Sequence, residues 1–369
     1  MNLELTDEQV ALRDTVRHYL AEKAAVATHV RPMLEDPTGT TDEVWQGLAA
    51  LGATGVLVAE EYGGAGMTMV EAGVVAEALG AALSPGPWLS SAVAAPRALV
   101  HVGAGTDVTE LLTGIAAGST IATVGPLRGP RPAAVRTGRR FVLRGELAAL
   151  PDAAVADVLL VFADNADDTV LFAVDSSSAD VTVVPRPHVD PTRKLFDVTL
   201  DGVSAHPLGA ATADVLTAVV DDVLIASAAD AIGAAHKVMS LAIDYAKVRR
   251  QFDQPIGSFQ AVQHLCVDMY ESVELARSGV IHALWAADAA EPAERHLSAV
   301  RAKAFAGRLA SVGDTAIQVF GGIGFTWEHD AHLYLKRLLS WSALLGGADD
   351  YLEQVGAQLV GQVDRKGLQ

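Results

Sequence analysis

Tyr245-Ala-Lys-Val-Arg-Arg-Gln-Phe-Asp-Gln-Pro-Ile-Gly-Ser-Phe-Gln-Ala-Val-Gln-His264 is the stretch that organises this chain. A Pro-Ile-Gly turn sits between two segments of helical periodicity, so a helix–turn–helix corner is expected. The corner carries an arginine pair, amides and two aromatic rings. Arginine can grip a pyrophosphate through two parallel hydrogen bonds. A distant companion, Gln318-Val-Phe-Gly-Gly-Ile-Gly-Phe-Thr-Trp-Glu-His-Asp330, follows an amide with a glycine cluster. Glycines let backbone N–H groups approach a ligand closely. Both segments suit a dinucleotide.

Outward from the corner, the texture is helix, then strand, then helix. Thr6-Asp-Glu-Gln9 reads as a capping box, and a second helix opens near Thr41. Further helices are expected over 69–83, 88–102 and 108–116, with Gly63-Gly64-Ala65-Gly66 as a loop. After Gly118 come short β-prone runs at 120–124, 140–144, 158–162, 170–174, 181–184 and 194–200, separated by turn residues. They predict a small antiparallel barrel or sandwich. From Thr212 helices are expected at 212–249, 256–287, 292–319, 330–345 and 348–363. The fold class is therefore an α+β multidomain chain: a helical domain over 1–117, a β domain over 118–211 and a four-helix-bundle-like domain over 212–369.

The bulk numbers exclude some functions. The 369 residues carry 27 Lys and Arg against 45 Asp and Glu, a formal charge of −18. Long-range attraction to nucleic acid or to an anionic membrane is disfavoured. The apolar run from Ala211 to Ala235 is broken by Asp214, Asp221, Asp222 and Asp230, so it reads as a buried helix and no membrane insertion is expected. The N-terminus lacks the basic and apolar regions of a signal peptide. One cysteine, Cys266, permits no internal disulfide and fits a reducing compartment, so a cytoplasmic location is expected. His329 and His332 share a helix start, but further ligands are lacking and no metal site is expected.

Arg249, Gln251, Phe252, Pro255, Ile256, Gly257, Phe259, Gln260 and Gln263, together with Gln318, Gly321, Gly322 and Gly324, resemble the FAD-contacting motifs of the acyl-CoA dehydrogenase family. Glu60-Glu-Tyr-Gly-Gly-Ala-Gly66 resembles the family's N-terminal loop, so the resemblance covers nearly the whole chain. It implies a homo- or hetero-tetrameric flavoenzyme. Such an enzyme dehydrogenates the Cα–Cβ bond of an acyl-CoA and passes electrons to an electron-transfer flavoprotein. It also implies roles: Arg249 on pyrophosphate; Phe252, Ile256, Phe259 and Gln260 along the adenosine side; Gln318, Gly321 and Gly322 at the same end. In the family these contacts reach a FAD held mainly by a neighbouring subunit.

The resemblance also implies a glutamate base, and here the pattern departs. Counted from Gly322, the turn that carries it in most members is Leu344-Leu345-Gly346-Gly347, with Leu345 at the base position. The alternative position, on the helix before Arg249, is Val223. Neither can accept a proton. Asp221 and Asp222 are nearby substitutes. No Trp or Tyr lies between Phe141 and Phe162, where a flavin ring would find aromatic partners. These departures imply the base-deficient subunit of an α2β2 complex. A homologous partner would supply the Glu and the substrate would be an acyl-CoA such as a steroid-derived thioester. A self-sufficient homotetramer, other flavin chemistry and a purely stabilising subunit stay open.

Overall fold

The computed structural model describes residues 4–366 except 104, 139 and 167, with side chains described to residue 361. Helices α1 (Asp7–Lys23), α2 (Arg31–Met33), α3 (Asp42–Ala50), α4 (Met69–Ala81), α5 (Ala95–Val102) and α6 (Thr106–Ala116) come first. Thr6 and Gln9 form the expected capping box, and Thr41 caps α3. The helix expected from residue 88 begins with a π-helical stretch, Leu89–Ala94, before α5.

Seven strands follow: β1 (Ala122–Gly125), β2 (Ala133–Thr137), β3 (Arg140–Pro151), β4 (Val158–Asn165), β5 (Asp168–Asp175), β6 (Val181–Pro185) and β7 (Leu195–Ala210). Their order is β1-β4-β2-β3-β7-β5, with β6 on β7, and a β4–β5 pairing closes the sheet into a barrel. Most pairs are antiparallel, as expected. Two are not: β1 runs parallel to β4, and β2 meets β4 in parallel at Ala133 and Asp164. Strand β2 was not foreseen, because Arg131-Pro-Ala-Ala-Val-Arg-Thr137 lacks a β-branched or aromatic run. Strand β7 runs through Gly202, where a strand end was expected.

The third part is α7 (Ala213–Val248), the two-residue strands β8 (Arg250–Gln251) and β9 (Gln254–Pro255), α8 (Gln260–Ala289), α9 (Pro292–Ala306), α10 (Ala310–Phe320), α11 (Ala331–Ala343) and α12 (Ala348–Lys366). The single helix expected over 292–319 is two helices. Trp341 Nε1 donates to the Ala306 carbonyl at 2.8 Å, an acceptor that a continuous helix would offer to residue 310.

One apolar core joins the N-terminal helices to the C-terminal ones, and a separate core fills the barrel. Close contact of α4 and α7 depends on glycine. A Cβ on Gly80 would stand 1.9 Å from the Asp230 carbonyl, and one on Gly233 1.9 Å from that of Glu77. No described helix is long and apolar enough to cross a membrane.

Asp222 of α7 ties these helices together electrostatically. Its carboxylate meets Arg97 Nε and Arg295 Nη2 at 2.7 Å each, and His101 Nε2 at 3.1 Å. Arg97 also reaches Asp288, which accepts the N-terminal N–H of α4. Burial would raise the Asp222 pKa, but the hydrogen bond to His101 and the two guanidinium groups win and hold it at about 2. The folded value lies below the unfolded one. The contribution, about 2 kcal/mol, is therefore full above the ordinary carboxylate pKa near 4 and fades as pH falls toward 2. Urea unfolding at pH 5 and pH 3 should show a steeper acid loss for the wild type than for Asp222→Asn; equal losses contradict this account.

Candidate functional site

The two motif segments meet on one face. Tyr245 at the end of α7 packs on Phe320 of α10 with ring centroids 5.1 Å apart, and Phe320 packs on His329 at 4.3 Å. The first segment turns at β8–β9. Phe252 and Asp253 take positive φ, 54° and 64°, at the hairpin tip. The chain then returns beside Arg249, whose carbonyl accepts the Ile256 N–H at 2.8 Å. Phe259 precedes α8 and meets Phe252 edge-on at 6.1 Å.

This face is exposed. Arg249, Gln251, Gln260, Gln318, Gly321 and Gly322 all lie at the surface, and Phe252 is 87% exposed. Ile323, Phe325 and Trp327 continue the apolar surface. Arg249 has no ion-pair partner among the described residues, although the chain is acidic. Gly321 has φ +65°, and a Cβ at Gly321 or Gly322 would meet nothing within 4 Å. An unpaired guanidinium, half-buried Ile256 and Phe259, open backbone and spare amides fit the pyrophosphate and adenosine end of a dinucleotide. Exposed aromatics on a rimmed face mark a surface built to be covered.

The second feature is a cavity of about 150 Å³ where the π-helical stretch, the barrel and α7 and α11 converge. Leu89, Val124, Leu127, Val223, Trp341 and Leu344 supply apolar lining. Asp152, Arg193, Lys194, Asp230 and Arg337 supply a polar side.

Val223 lines this cavity, but Leu345 does not. Leu345 lines a neighbouring recess of about 230 Å³ with Arg128, Asp221, His296 and Tyr351. Its backbone takes φ +55°, strained for a non-glycine residue. Arg128 Nη1 and the Tyr351 hydroxyl donate to its carbonyl at 2.7 and 2.9 Å. Lys303 steadies the turn from below, its Nζ donating to the Trp341 and Ser342 carbonyls at 2.6 and 3.2 Å. Burial pushes that ammonium down to about 7. The turn is firmly built, yet hydrocarbon stands at its tip.

The two aspartates differ. Asp222 belongs to the ion cluster, its side chain without exposure. Asp221 is also buried, and His296 Nδ1 donates to its two oxygens at 3.0 and 3.1 Å. Burial raises the Asp221 pKa; the hydrogen bond raises that of His296. His329 Nδ1 accepts the Ala331 N–H, and His332 packs on Trp327 at 4.7 Å.

Three buried groups escaped sequence reading. Arg337 of α11 donates to Asp190, Asp230, Thr192 and the Ser84 carbonyl. Asp152 follows β3 with φ +54° and lies 2.5 Å from the Ser90 hydroxyl. Lys303 is the third. For Arg337 and Lys303 the only available signal was a charge in phase with the apolar stripe of its helix, beside Lys336 and near Arg301 respectively; Pro151-Asp152 reads simply as a turn.

Residues 6–119 match the model of the acyl-CoA dehydrogenase N-terminal domain, and residues 223–360 that of the acyl-CoA dehydrogenase C-terminal domain. The chain is 34% identical over 357 residues to acyl-CoA dehydrogenase IpdE2 of Mycolicibacterium smegmatis, covering 96% of this chain and 100% of that one. It is 30% identical over 354 residues to IpdE2 of Mycobacterium tuberculosis, covering 96% and 98%. Among solved structures, the ChsE4-ChsE5 complex from Mycobacterium tuberculosis superposes with a TM-score of 0.88 at 26% identity, covering 98% of this chain and 99% of that one. A variant of the Tcur3481-Tcur3483 steroid ACAD gives 0.88 at 28%, covering 97% and 99%.

Proposed function

The chain belongs to the acyl-CoA dehydrogenase family, and from that premise we propose that it is the base-deficient subunit of an α2β2 enzyme, completing the FAD site of a homologous partner. The observation that carries this is an asymmetry. The face that would be lent to a neighbour is complete, from Arg249 to Gly322. Both positions for this chain's own base, Val223 and Leu345, are hydrocarbon.

On this reading Arg249 binds the pyrophosphate, and Phe252, Ile256 and Phe259 cover the adenosine. Gln251, Gln260 and Gln318 give amide contacts, and Gly321 and Gly322 offer backbone N–H groups. The hydride-accepting chemistry is what FAD supplies when bound. The α-proton leaves to a glutamate on the partner, because no residue at Val223 or Leu345 can hold it. We assign bulky, steroid-derived acyl-CoA thioesters as the substrate class and an electron-transfer flavoprotein as the acceptor. The steroid ACAD among the similar structures supports the first assignment; the second follows from the family.

A second reading keeps the chain self-sufficient, with Asp221 as base. One observation favours it: Asp221 lines the same recess as Leu345, and burial raises its pKa as a base requires. Asp222 does not serve, since two arginines hold it ionised and enclosed.

Arg249→Ala in the assembled enzyme should weaken FAD binding about ten- to a hundred-fold, the worth of charge-assisted hydrogen bonds to phosphate. Fluorescence titration of the deflavinated complex measures it, and unchanged affinity sinks the lent-face role. Asp221→Asn should leave acyl-CoA turnover of the complex within about two-fold. A loss of several hundred-fold would move the base onto this chain.

A further inference from the structure

The cavity beside Val223 and the recess beside Leu345 share one wall, and pairs of consecutive residues straddle it. Val223 lines the cavity and Leu224 the recess; Leu344 lines the cavity and Leu345 the recess. Leu127 lines both, and Arg128 lines the recess alone. The wall therefore stands where three pieces of chain meet: the loop between β1 and β2, helix α7, and the turn after α11. On the recess side Asp221, His296, Asp350 and Gln354 supply polar groups.

Arg128 fastens that wall. Its side chain is exposed, and its Nη1 crosses from the β1–β2 loop to the Leu345 carbonyl at 2.7 Å. Among the described residues no other hydrogen bond joins this loop to that turn. The guanidinium lies close on the turn: a Cβ on Gly346 would stand 3.0 Å from Nη1, and Gly346 takes φ +120°. Glycine alone suits both that conformation and that approach. Asp221 and Asp350 line the same recess, yet Arg128 makes no ion pair among the described residues. Its one bond goes to the turn. Gly129, next along the loop, has φ +92° and nothing within 4 Å of where a Cβ would stand, so neighbouring groups do not pack the loop in place there. A single solvent-exposed hydrogen bond is a modest clasp, and the fastening is reversible.

We propose that Arg128 is a strap that shuts this chain's own acyl-thioester site. While it holds the Leu345 carbonyl, the cavity and the recess stay separate. When it lets go, the loop swings from the turn and the two join into one elongated cleft. The cleft then has an apolar stretch for an acyl chain and a polar stretch for the amides of the thioester arm. Binding to a state that is a minor population is weakened by that population's fraction, so Arg128 decides whether this chain takes an acyl thioester itself. The inference rests on membership of the acyl-CoA dehydrogenase family and needs no partner subunit. It adds to the proposed function that this chain's site is closed as well as base-deficient.

S-octanoylpantetheine tests this by calorimetric titration of the full chain purified by itself. The probe carries the thioester but no phosphate, so loss of the guanidinium charge does not bear on its recognition. Arg128→Ala should bind it about ten-fold tighter than the wild type, because the bond that favours closure is gone. Arg128→Lys, which keeps a donor of similar reach, should bind like the wild type. Arg128 is exposed, so its replacement leaves the core intact, and a general loosening of the fold would not raise affinity. Equal or weaker binding by Arg128→Ala, no binding by either protein, or an equal gain in Arg128→Lys overturns the inference. The flavin count of the complex does not enter, so the strap can fail while the proposed function stands.

Discussion

A single buried guanidinium holds the three parts of this molecule in register. Arg337 of α11 is 3% exposed at its side chain. It spends its donors on Asp190 and Thr192 before β7, on Asp230 of α7 and on the Ser84 carbonyl beyond α4. Barrel, N-terminal helices and C-terminal bundle each supply at least one acceptor. Coulomb attraction here offsets the desolvation of several charges, and removing one partner would leave the others buried and unpaired, at a cost of about 3–5 kcal/mol. The cluster of Arg97, Arg295 and His101 around Asp222 repeats the device between helices.

Those clusters separate two kinds of surface. Inward lies the small cavity, where Arg193 and Arg337 are paired with Asp230. Outward lies the motif face, where Arg249 meets no carboxylate among the described residues and the aromatics are exposed. An acidic protein that leaves an arginine unpaired keeps a cation available for an anionic ligand. The strained Leu345 turn, gripped by Arg128, Tyr351 and Lys303, keeps its architecture although its tip carries no acid.

Local patterns made much of the fold legible. The Thr6 and Thr41 caps, the helical periodicity of α7 and α8 and the β-prone runs are short-range signals, and the helices and most strands fall near where they point. What escaped is tertiary. The break between α9 and α10 follows a tryptophan N–H arriving from α11. The parallel pairings of β4 depend on partners far along the chain, and β2 has no β-branched run to announce it. For the site, motif chemistry pointed to Arg249, Phe252 and Gln318, and the fold brings their segments onto one face. Little that is local marks Arg337, and nothing marks Asp152 beyond a turn, because burial and pairing decide what those charges do. Asp221 and Asp222 looked alike in sequence, yet adjacent helix positions point about 100° apart and meet different partners.

The central claim is that this chain completes a flavin site it does not own. Counting flavin against chains in the complex purified with its acyl-CoA dehydrogenase-like partner tests it most directly, with absorbance for FAD and amino-acid analysis for each chain. The account predicts one FAD for every two chains, and neither retained flavin nor dehydrogenase activity when this chain is purified by itself. A yellow, active homotetramer of this chain with one FAD per chain would contradict it.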